Sequence, residues 1–382
     1  MKRILLLGAS GSIGTQAIDV INEHPDELCL VGASVGKNID YLKELLKNYK
    51  LSFVYSIERY FELEEQYPET KFYFGEKGLQ EIVEEDNYDL LVNALVGFSG
   101  FIPTLNAINK HKDIALANKE TLVAGGDLIN EAIKNTGVKL YPIDSEHSAI
   151  AQSLRGNRKE DVKRLIITGS GGSFRNLNRE ELKDVTLEQA LKHPNWNMGA
   201  KITIDSATMM NKGFEVMEAH YLFDVPYDKI DVILHDESVI HSMVEYNDGS
   251  IIAQLGSPDM RLPIKYALLY PCHLKDSNNN PLDIAKVGTF HFKEMDYTRY
   301  PLVKLAKEIG QFGGNFGAIL IGANDEAVDL FIHKRIKFID IETLIIKTLK
   351  AAHFIQKPSA QDLVDSNNWA KSYVDEIWAN SK

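Results

Sequence analysis

The chain has 382 residues, 44% of them hydrophobic, so it is too long for one ordinary core and apolar enough to build two or three. A formal charge of −12, from 54 acidic and 42 basic residues, excludes nucleic acid and anionic membrane as main partners. Its two cysteines, Cys29 and Cys272, have no metal-binding spacing and cannot form a disulfide scaffold, which fits a reducing cytoplasm.

Residues 3–7 form an apolar run that stops at Gly8, too soon for a secretion signal, and no run is long enough to cross a bilayer. Gly8, Gly11 and Gly14 follow, and then Ala17, Ile18 and Ile21 take up helical spacing. Strand, glycine turn and helix in that order predict a dinucleotide site, because glycines let the backbone approach a pyrophosphate and the helix start presents free N–H groups. A purely structural glycine turn is the plainer alternative. Further strands at 28–35, 52–55, 89–94, 114–117 and 140–143, with helical stretches between, predict a doubly wound parallel sheet over residues 1–148. At the end of the second strand stand Gly36, Lys37 and Asn38, where an NAD enzyme places Asp or Glu. A cation and an amide suit a 2′-phosphate, so NADPH is expected, with a solvated surface lysine as the alternative. Asn118, Lys119 and Glu120 follow another strand, at the carboxyl end where ligands collect, although each could be a helix cap.

Asp144 and Glu146 flank Ser145 just after a strand, and an extended backbone would send both carboxylates to one side. With Glu215 they offer three hard ligands for Mg²⁺ or Mn²⁺, leaving positions for substrate oxygens and water. A surface Asp-x-Glu pair is the alternative, and the lone imidazole of His147 does not suit such a carboxylate set. A strand at 164–168 runs into Gly169-Ser-Gly-Gly-Ser173, and the long polar connection after it is expected to be a mobile flap near 170–200. His193 reads as a substrate donor, and the indole of Trp196 as either a lid or a packing group. Ser170 on one side and Ser206, Asn211 and Lys212 on the other can donate to phosphate oxygens. Strands at 231–234, 241–246 and 251–255 predict a second, mostly antiparallel-edged sheet in an α+β domain over 149–272, with both regions of interest in loops between strands. Residues 273–300, including the polar run 275–281, read as a linker. From 301 to 382 helical periodicity predicts a small bundle, with Leu302, Leu305, Ala306 and Ile309 on one face and Ile341, Leu344, Ile345 and Leu349 on another. The readings converge on a nicotinamide enzyme that acts on a phosphorylated, metal-chelating small molecule.

Six stretches carry a family resemblance: Leu140-Tyr-Pro-Ile-Asp-Ser-Glu-His147, Thr168-Gly-Ser-Gly-Gly172, His193-Pro-Asn-Trp-x-Met-Gly199, Asp205-Ser-Ala-Thr-Met-Met-Asn-Lys-Gly-x-Glu215, Ser238-Val-Ile-His-Ser-Met-Val244 and Gln254-Leu-Gly-x-Pro-Asp-Met-Arg261. Together they resemble 1-deoxy-D-xylulose 5-phosphate reductoisomerase. The resemblance implies NADPH- and Mg²⁺- or Mn²⁺-dependent conversion of 1-deoxy-D-xylulose 5-phosphate to 2-C-methyl-D-erythritol 4-phosphate, a step of non-mevalonate isoprenoid synthesis, by a homodimer. It implies Asp144, Glu146 and Glu215 as metal ligands, and Lys119, Ser145, Glu146, Ser170, His193, Ser206, Asn211 and Lys212 around the substrate, where Trp196 and Glu215 are also expected. Of these, Glu146, Lys119 and His193 are expected to serve catalysis. Gly8, Ser10, Gly11, Ser12, Ile13, Gly36, Lys37, Asn38, Asn118, Glu120 and Gly199 would line the cofactor. Two stretches depart from the family pattern, Asp236-Glu237 and Ile321-Gly-Ala-Asn-Asp325, neither at a proposed metal or phosphate ligand.

Three rivals make different demands. A short-chain dehydrogenase would use Tyr300-x-x-x-Lys304, which lies far outside the nucleotide region, and would need no metal. An aspartate-semialdehyde-type enzyme needs a nucleophilic cysteine, for which neither Cys29 nor Cys272 is well placed in sequence. A non-catalytic NADPH sensor would bind the cofactor without turning over any phosphosugar.

Overall fold

The structure, a computed structural model, describes residues 1–196, 198–275 and 281–380. Position 197 in the expected flap and positions 276–280 in the expected linker lie outside the described residues. Two compact units partition the chain, the first comprising 1–121, 127–148 and 259–279, the second 122–126, 149–258 and 280–382.

In the first part of the chain β1 (Lys2–Leu7) leads into α1 (Ser12–Glu23), followed by β2 (Leu28–Ser34), α2 (Ile39–Asn48), β3 (Phe53–Ser56), α3 (Phe61–Gln66), β4 (Lys71–Phe74) and α4 (Gly75–Glu81). Next come β5 (Leu90–Asn93), α5 (Phe101–Asn109), β6 (Asp113–Leu116), α6 (Glu120–Thr136), β7 (Leu140–Pro142) and α7 (Ser145–Leu154). The seven strands form one parallel sheet in the order β4-β3-β2-β1-β5-β6-β7. A sheet with helices on both faces buries each strand from both sides, so its strands read as unbroken apolar runs instead of alternating patterns. Leu5, Leu6 and Leu7 accordingly have no exposed surface. One layer of the core joins Ile4, Leu6, Leu30, Val54, Leu90 and Val92 of the strands to Ala17, Ile18 and Ile21 of α1 and Leu42, Leu45 and Leu46 of α2. The edge strand β4 was not expected: its Lys-Phe-Tyr-Phe is only four residues long and half exposed, too short a run to show a period.

The rest of the chain supplies β8 (Val162–Gly169), α8 (Leu187–Ala190), α9 (Ala200–Thr208), α10 (Met210–Phe223), β9 (Ile230–His235), β10 (Ile240–Tyr246) and β11 (Ile251–Leu255). After α11 (Arg261–Leu268), which belongs to the first unit, come α12 (Ile284–Val287), β12 (Phe292–Glu294), α13 (Pro301–Phe312), α14 (Phe316–Ile332), α15 (Phe338–Ala351) and α16 (Ala360–Ala379). The second sheet has the order β11-β10-β8-β9-β12, with β8 and β9 parallel and the other pairs antiparallel. Its edge strand β12 comes from the stretch read as a linker, where three exposed residues give no pattern to detect. The α/β class expected from the sequence holds: a Rossmann-like parallel sheet, a mixed α+β sheet and C-terminal helices.

Among the C-terminal helices, the half-buried Glu326 makes stability depend on pH. Burial, with Asp375 and Asp329 close by, pushes the Glu326 carboxyl from 4.5 up to about 7, against a smaller opposing pull from Lys371. A carboxyl whose pKa is higher in the folded state binds its proton more tightly there, so its stabilising contribution is complete below about pH 4.5 and is lost as pH rises through about 7. Urea midpoints are therefore expected to fall across that window, and Glu326→Gln to flatten that part of the profile. An unchanged profile in the variant would assign the pH dependence to other groups.

Candidate active site

In the first unit, strand order reverses between β1 and β5, and ligands of open α/β sheets bind at the carboxyl ends of the strands beside such a reversal. Gly8 lies there with φ +82°, and a side chain on it would stand 2.5 Å from the Ala94 carbonyl oxygen. A side chain on Gly14 would be 2.2 Å from the Gly8 oxygen, so only glycine lets α1 start this close to the turn. The Gly8 N–H donates to Ser34 Oγ at 2.8 Å, and Gly11 is the N-cap of α1, with Ser12 and Ile13 in its first turn and Ser10 just before it. Helix starts leave N–H groups without intrahelical acceptors, which is what a pyrophosphate requires. Gly36, Lys37 and Asn38 are exposed beyond β2, and Asn38 caps α2 by accepting the Tyr41 N–H at 3.1 Å.

Beyond β6, the Asn118 amide donates to the carbonyls of Leu95 (3.0 Å) and Gly97 (2.9 Å) and to Glu120 Oε2 (3.2 Å), while its oxygen accepts from Thr121 N (3.0 Å). Its side chain thus braces the β5 turn against the start of α6. Lys119 Nζ lies 2.6 Å from Asp144 Oδ2, the two side chains only 10% and 11% exposed. The same oxygen is 3.4 Å from His147 Nδ1, and Ser145 Oγ donates to Glu146 Oε2 at 2.6 Å. The backbone from Asp144 to Glu146 enters a helix where an extended run was expected. The Ser148 N–H donates to the Asp144 carbonyl at 2.8 Å, closing a helical turn, so α7 begins at Ser145 and Glu146 lies in its first turn. Carboxylates are favoured at such a start by the helix dipole.

In the second unit, Gly171 and Gly172 follow β8 with φ +80° and +71°, a left-handed pair that other residues rarely adopt. A side chain on Gly172 would stand 2.4 Å from the Ser206 carbonyl oxygen, and one on Gly169 3.1 Å from Lys212 Cε. The glycine loop therefore rests directly on α9 and α10. Residues 205–215, expected as a loop, are two helices: α9 ends at Thr208, Met209 turns the chain at φ +61°, and α10 starts at Met210. Helical spacing on α10 then sets Asn211, Lys212 and Glu215 side by side. Asn211 Nδ2 is 2.6 Å from Glu215 Oε1, and Lys212 Nζ is 2.9 and 2.7 Å from the two carboxylate oxygens. Glu215 has no exposed surface and Lys212 6%. Asp205 is engaged elsewhere, by Lys201 (2.8 Å) and Asn324 Nδ2 (2.8 Å).

His193 Nε2 lies 3.0 Å from Ser170 Oγ, and that hydroxyl also accepts the Gly172 N–H at 3.1 Å. On the other side of the ring, Nδ1 accepts the N–H groups of Asn195 (3.2 Å) and Trp196 (3.0 Å). An acceptor at Nδ1 places the proton of the neutral ring on Nε2. Burial, reinforced by Lys212 and Arg175, lowers the pKa of His193 to about 4, so the ring is a neutral N–H donor at physiological pH. Trp196 lies 6.2 Å from the His241 ring, and Gly199 is the N-cap of α9.

The expected site residues thus fall in two units. Ser170, His193, Ser206, Asn211, Lys212 and Glu215 converge within the second unit, together with Trp196 and Gly199 on the segment that follows His193. The glycine turn, Asn118 to Glu120 and Asp144 to Glu146 belong to the first unit. The sequence reading passed over Arg175 and Asn195. Arg175 donates to the Asp236 carbonyl at 2.9 Å, and Asn195 Nδ2 to the same carbonyl at 2.8 Å and to Ser238 Oγ at 2.7 Å. A cation five residues after Ser170 and an amide two after His193 were the available signals. The departing residues Asp236 and Glu237 hold the β12 segment, through Lys293 (3.1 Å) and the His291 N–H (3.0 Å).

Three family models match the chain: 1-deoxy-D-xylulose 5-phosphate reductoisomerase over residues 4–126, its C-terminal domain over 140–223, and the DXP reductoisomerase C-terminal domain over 255–373. A 1-deoxy-D-xylulose 5-phosphate reductoisomerase of Geobacillus sp. (strain WCH70) is 50% identical over 98% of this chain and 99% of its own length. The solved reductoisomerase from Zymomonas mobilis in complex with NADPH is 37% identical, with a TM-score of 0.90 over 99% of both chains. A DOX-P reductoisomerase crystallised with NADPH, fosmidomycin and magnesium is 33% identical, with a TM-score of 0.93 over 99% of this chain and 98% of the other.

Proposed function

Since the chain belongs to the 1-deoxy-D-xylulose 5-phosphate reductoisomerase family, we infer that it converts 1-deoxy-D-xylulose 5-phosphate to 2-C-methyl-D-erythritol 4-phosphate with NADPH and a divalent metal. The reaction is a step of non-mevalonate isoprenoid synthesis. The observation that supports it best within this chain is the packing of the Gly169–Gly172 turn on α9 and α10, which gathers Ser170, Ser206 and Lys212 beside the buried Glu215. Hydroxyls, an ammonium group and backbone N–H groups match phosphate oxygens, and the neutral His193, by giving its Nε2–H to Ser170 Oγ, leaves the Ser170 hydroxyl proton to donate outward.

Asp144, Glu146 and Glu215 would hold the metal, and their all-carboxylate chemistry fits Mg²⁺ or Mn²⁺ in place of zinc. When bound, the metal supplies Lewis-acid polarisation of the substrate's carbonyl and hydroxyl oxygens, and NADPH supplies the hydride. Lys119 holds Asp144 and neutralises part of its charge, and Ser145 orients the Glu146 carboxylate. Glu146 and Lys119 are the chain's candidates for moving protons at the substrate, with His193 as a fixed donor. The narrow glycine turn at Gly8 and Gly14 fits a pyrophosphate, with Ser10 to Ile13 along it. Lys37 and Asn38 are proposed for the 2′-phosphate, and Asn118, Glu120 and Gly199 for the rest of the cofactor. Phosphate binding, remote from the reacting carbons, contributes energy for orienting them.

We further propose a homodimer in a reducing cytoplasm. The edge strand β11 has Ile251 and Ile252 51% and 41% exposed, which supports pairing with a second copy, and Cys29 and Cys272 are free. No helix among the described residues is long and apolar enough to cross a membrane. The function is tested by following NADPH oxidation with 1-deoxy-D-xylulose 5-phosphate before and after EDTA. Turnover lost to the chelator and restored by Mg²⁺ or Mn²⁺ is expected, and metal-independent turnover would contradict the assignment.

A further inference from the structure

Tyr300 is 2% exposed and opens α13 as its N-cap residue, yet the reaction outlined above does not use it. Its hydroxyl donates to the Gly171 carbonyl at 3.0 Å. Burial raises its pKa, which keeps the proton on the oxygen. The neighbouring Arg299 donates to two more carbonyls of the same loop, Leu177 at 2.8 Å and Phe174 at 2.9 Å, while its guanidinium lies 4.5 Å from the Tyr300 ring centre. One dipeptide thus holds three carbonyls of the segment that carries Ser170.

The Gly171 contact matters most, because the Gly171–Gly172 peptide is planar and trans: fixing the direction of its C=O fixes the opposite direction of its N–H. That N–H is the one that donates to Ser170 Oγ at 3.1 Å. Glycine at both positions leaves the peptide free to rotate unless something outside the loop holds it. We infer that Tyr300 is a positioning residue for substrate binding, locking the Gly171–Gly172 peptide so that Ser170 presents its hydroxyl to the substrate phosphate. The inference rests on the reading of Ser170 as a phosphate contact.

The test uses the full-length enzyme with NADPH and Mg²⁺, and compares Tyr300→Phe, Ser170→Ala and the double variant. Loss of one buried hydrogen bond is expected to raise KM for 1-deoxy-D-xylulose 5-phosphate about fivefold, with kcat and the Kd for NADPH unchanged. The double variant is expected to be no worse than Ser170→Ala alone, since Tyr300 acts through Ser170. If Ser170→Ala raises KM and Tyr300→Phe does not, or if the two effects simply add, the inference fails while the phosphate reading stands. If neither variant changes KM, the phosphate reading fails and the inference with it. Arg299→Gln, which removes the contacts to Leu177 and Phe174 but leaves the Gly171 carbonyl held by Tyr300, is expected to change KM less than Tyr300→Phe; an equal rise would assign the effect to the loop as a whole and overturn the inference.

Discussion

Glu215→Gln is expected to lower kcat by about a thousandfold while leaving the Kd for NADPH unchanged, because a hard-ion site that loses a charged ligand loses several kcal/mol of transition-state stabilisation. The substitution keeps the shape of the side chain, so packing around this fully buried position is preserved. It removes the charge that Lys212 Nζ approaches at 2.7 and 2.9 Å. Mn²⁺ affinity, measured directly by titration, should fall with turnover. Wild-type turnover in the variant would remove Glu215 from the metal site.

Lys212→Ala is expected to act twice. Losing a charge-assisted contact to phosphate costs about 1.5–3 kcal/mol, or roughly a 10- to 150-fold loss in kcat/KM for the phosphosugar, while NADPH binding is spared. It also leaves Glu215 without its ammonium partner in a buried position, and breaking such a pair typically costs about 3–5 kcal/mol. The metal-free variant should therefore melt well below the wild type. Added Mg²⁺ should recover more stability in the variant than in the parent, since a cation on Glu215 replaces the lost charge. Unchanged steady-state kinetics would exclude Lys212 from the phosphate contacts, and an unchanged melting temperature would mean that the Lys212–Glu215 pair adds nothing to the fold.

What the amino-acid order made legible follows from where each segment is buried. The strands β1, β2, β5 and β6 are covered on both faces, and their apolar runs declared them. The edge strands β4 and β12 are short and partly or wholly exposed, so no run marked them. At the site, residue chemistry was legible before local structure. Residues 205–215 were read for phosphate and metal chemistry from their side chains alone, yet the αL turn at Met209 that breaks them into two helices has no glycine to signal it. Asp144 and Glu146 were read on an extended backbone because β7 precedes them, whereas the hydrogen bond into Asp144 starts a helix one residue later. The tautomer of His193 was beyond reach, since it depends on two backbone N–H groups folded back onto Nδ1. Tyr300 drew attention only through the Tyr-x-x-x-Lys pattern, and its contact with Gly171 spans 129 positions of sequence that no local motif can bridge.

The identity of the product tests the central claim most directly. The purified enzyme, supplied with 1-deoxy-D-xylulose 5-phosphate, NADPH and Mg²⁺, should yield the branched 2-C-methyl-D-erythritol 4-phosphate as the carbon NMR signature of a rearranged skeleton. A straight-chain reduced pentose phosphate would show reduction without rearrangement and contradict the account.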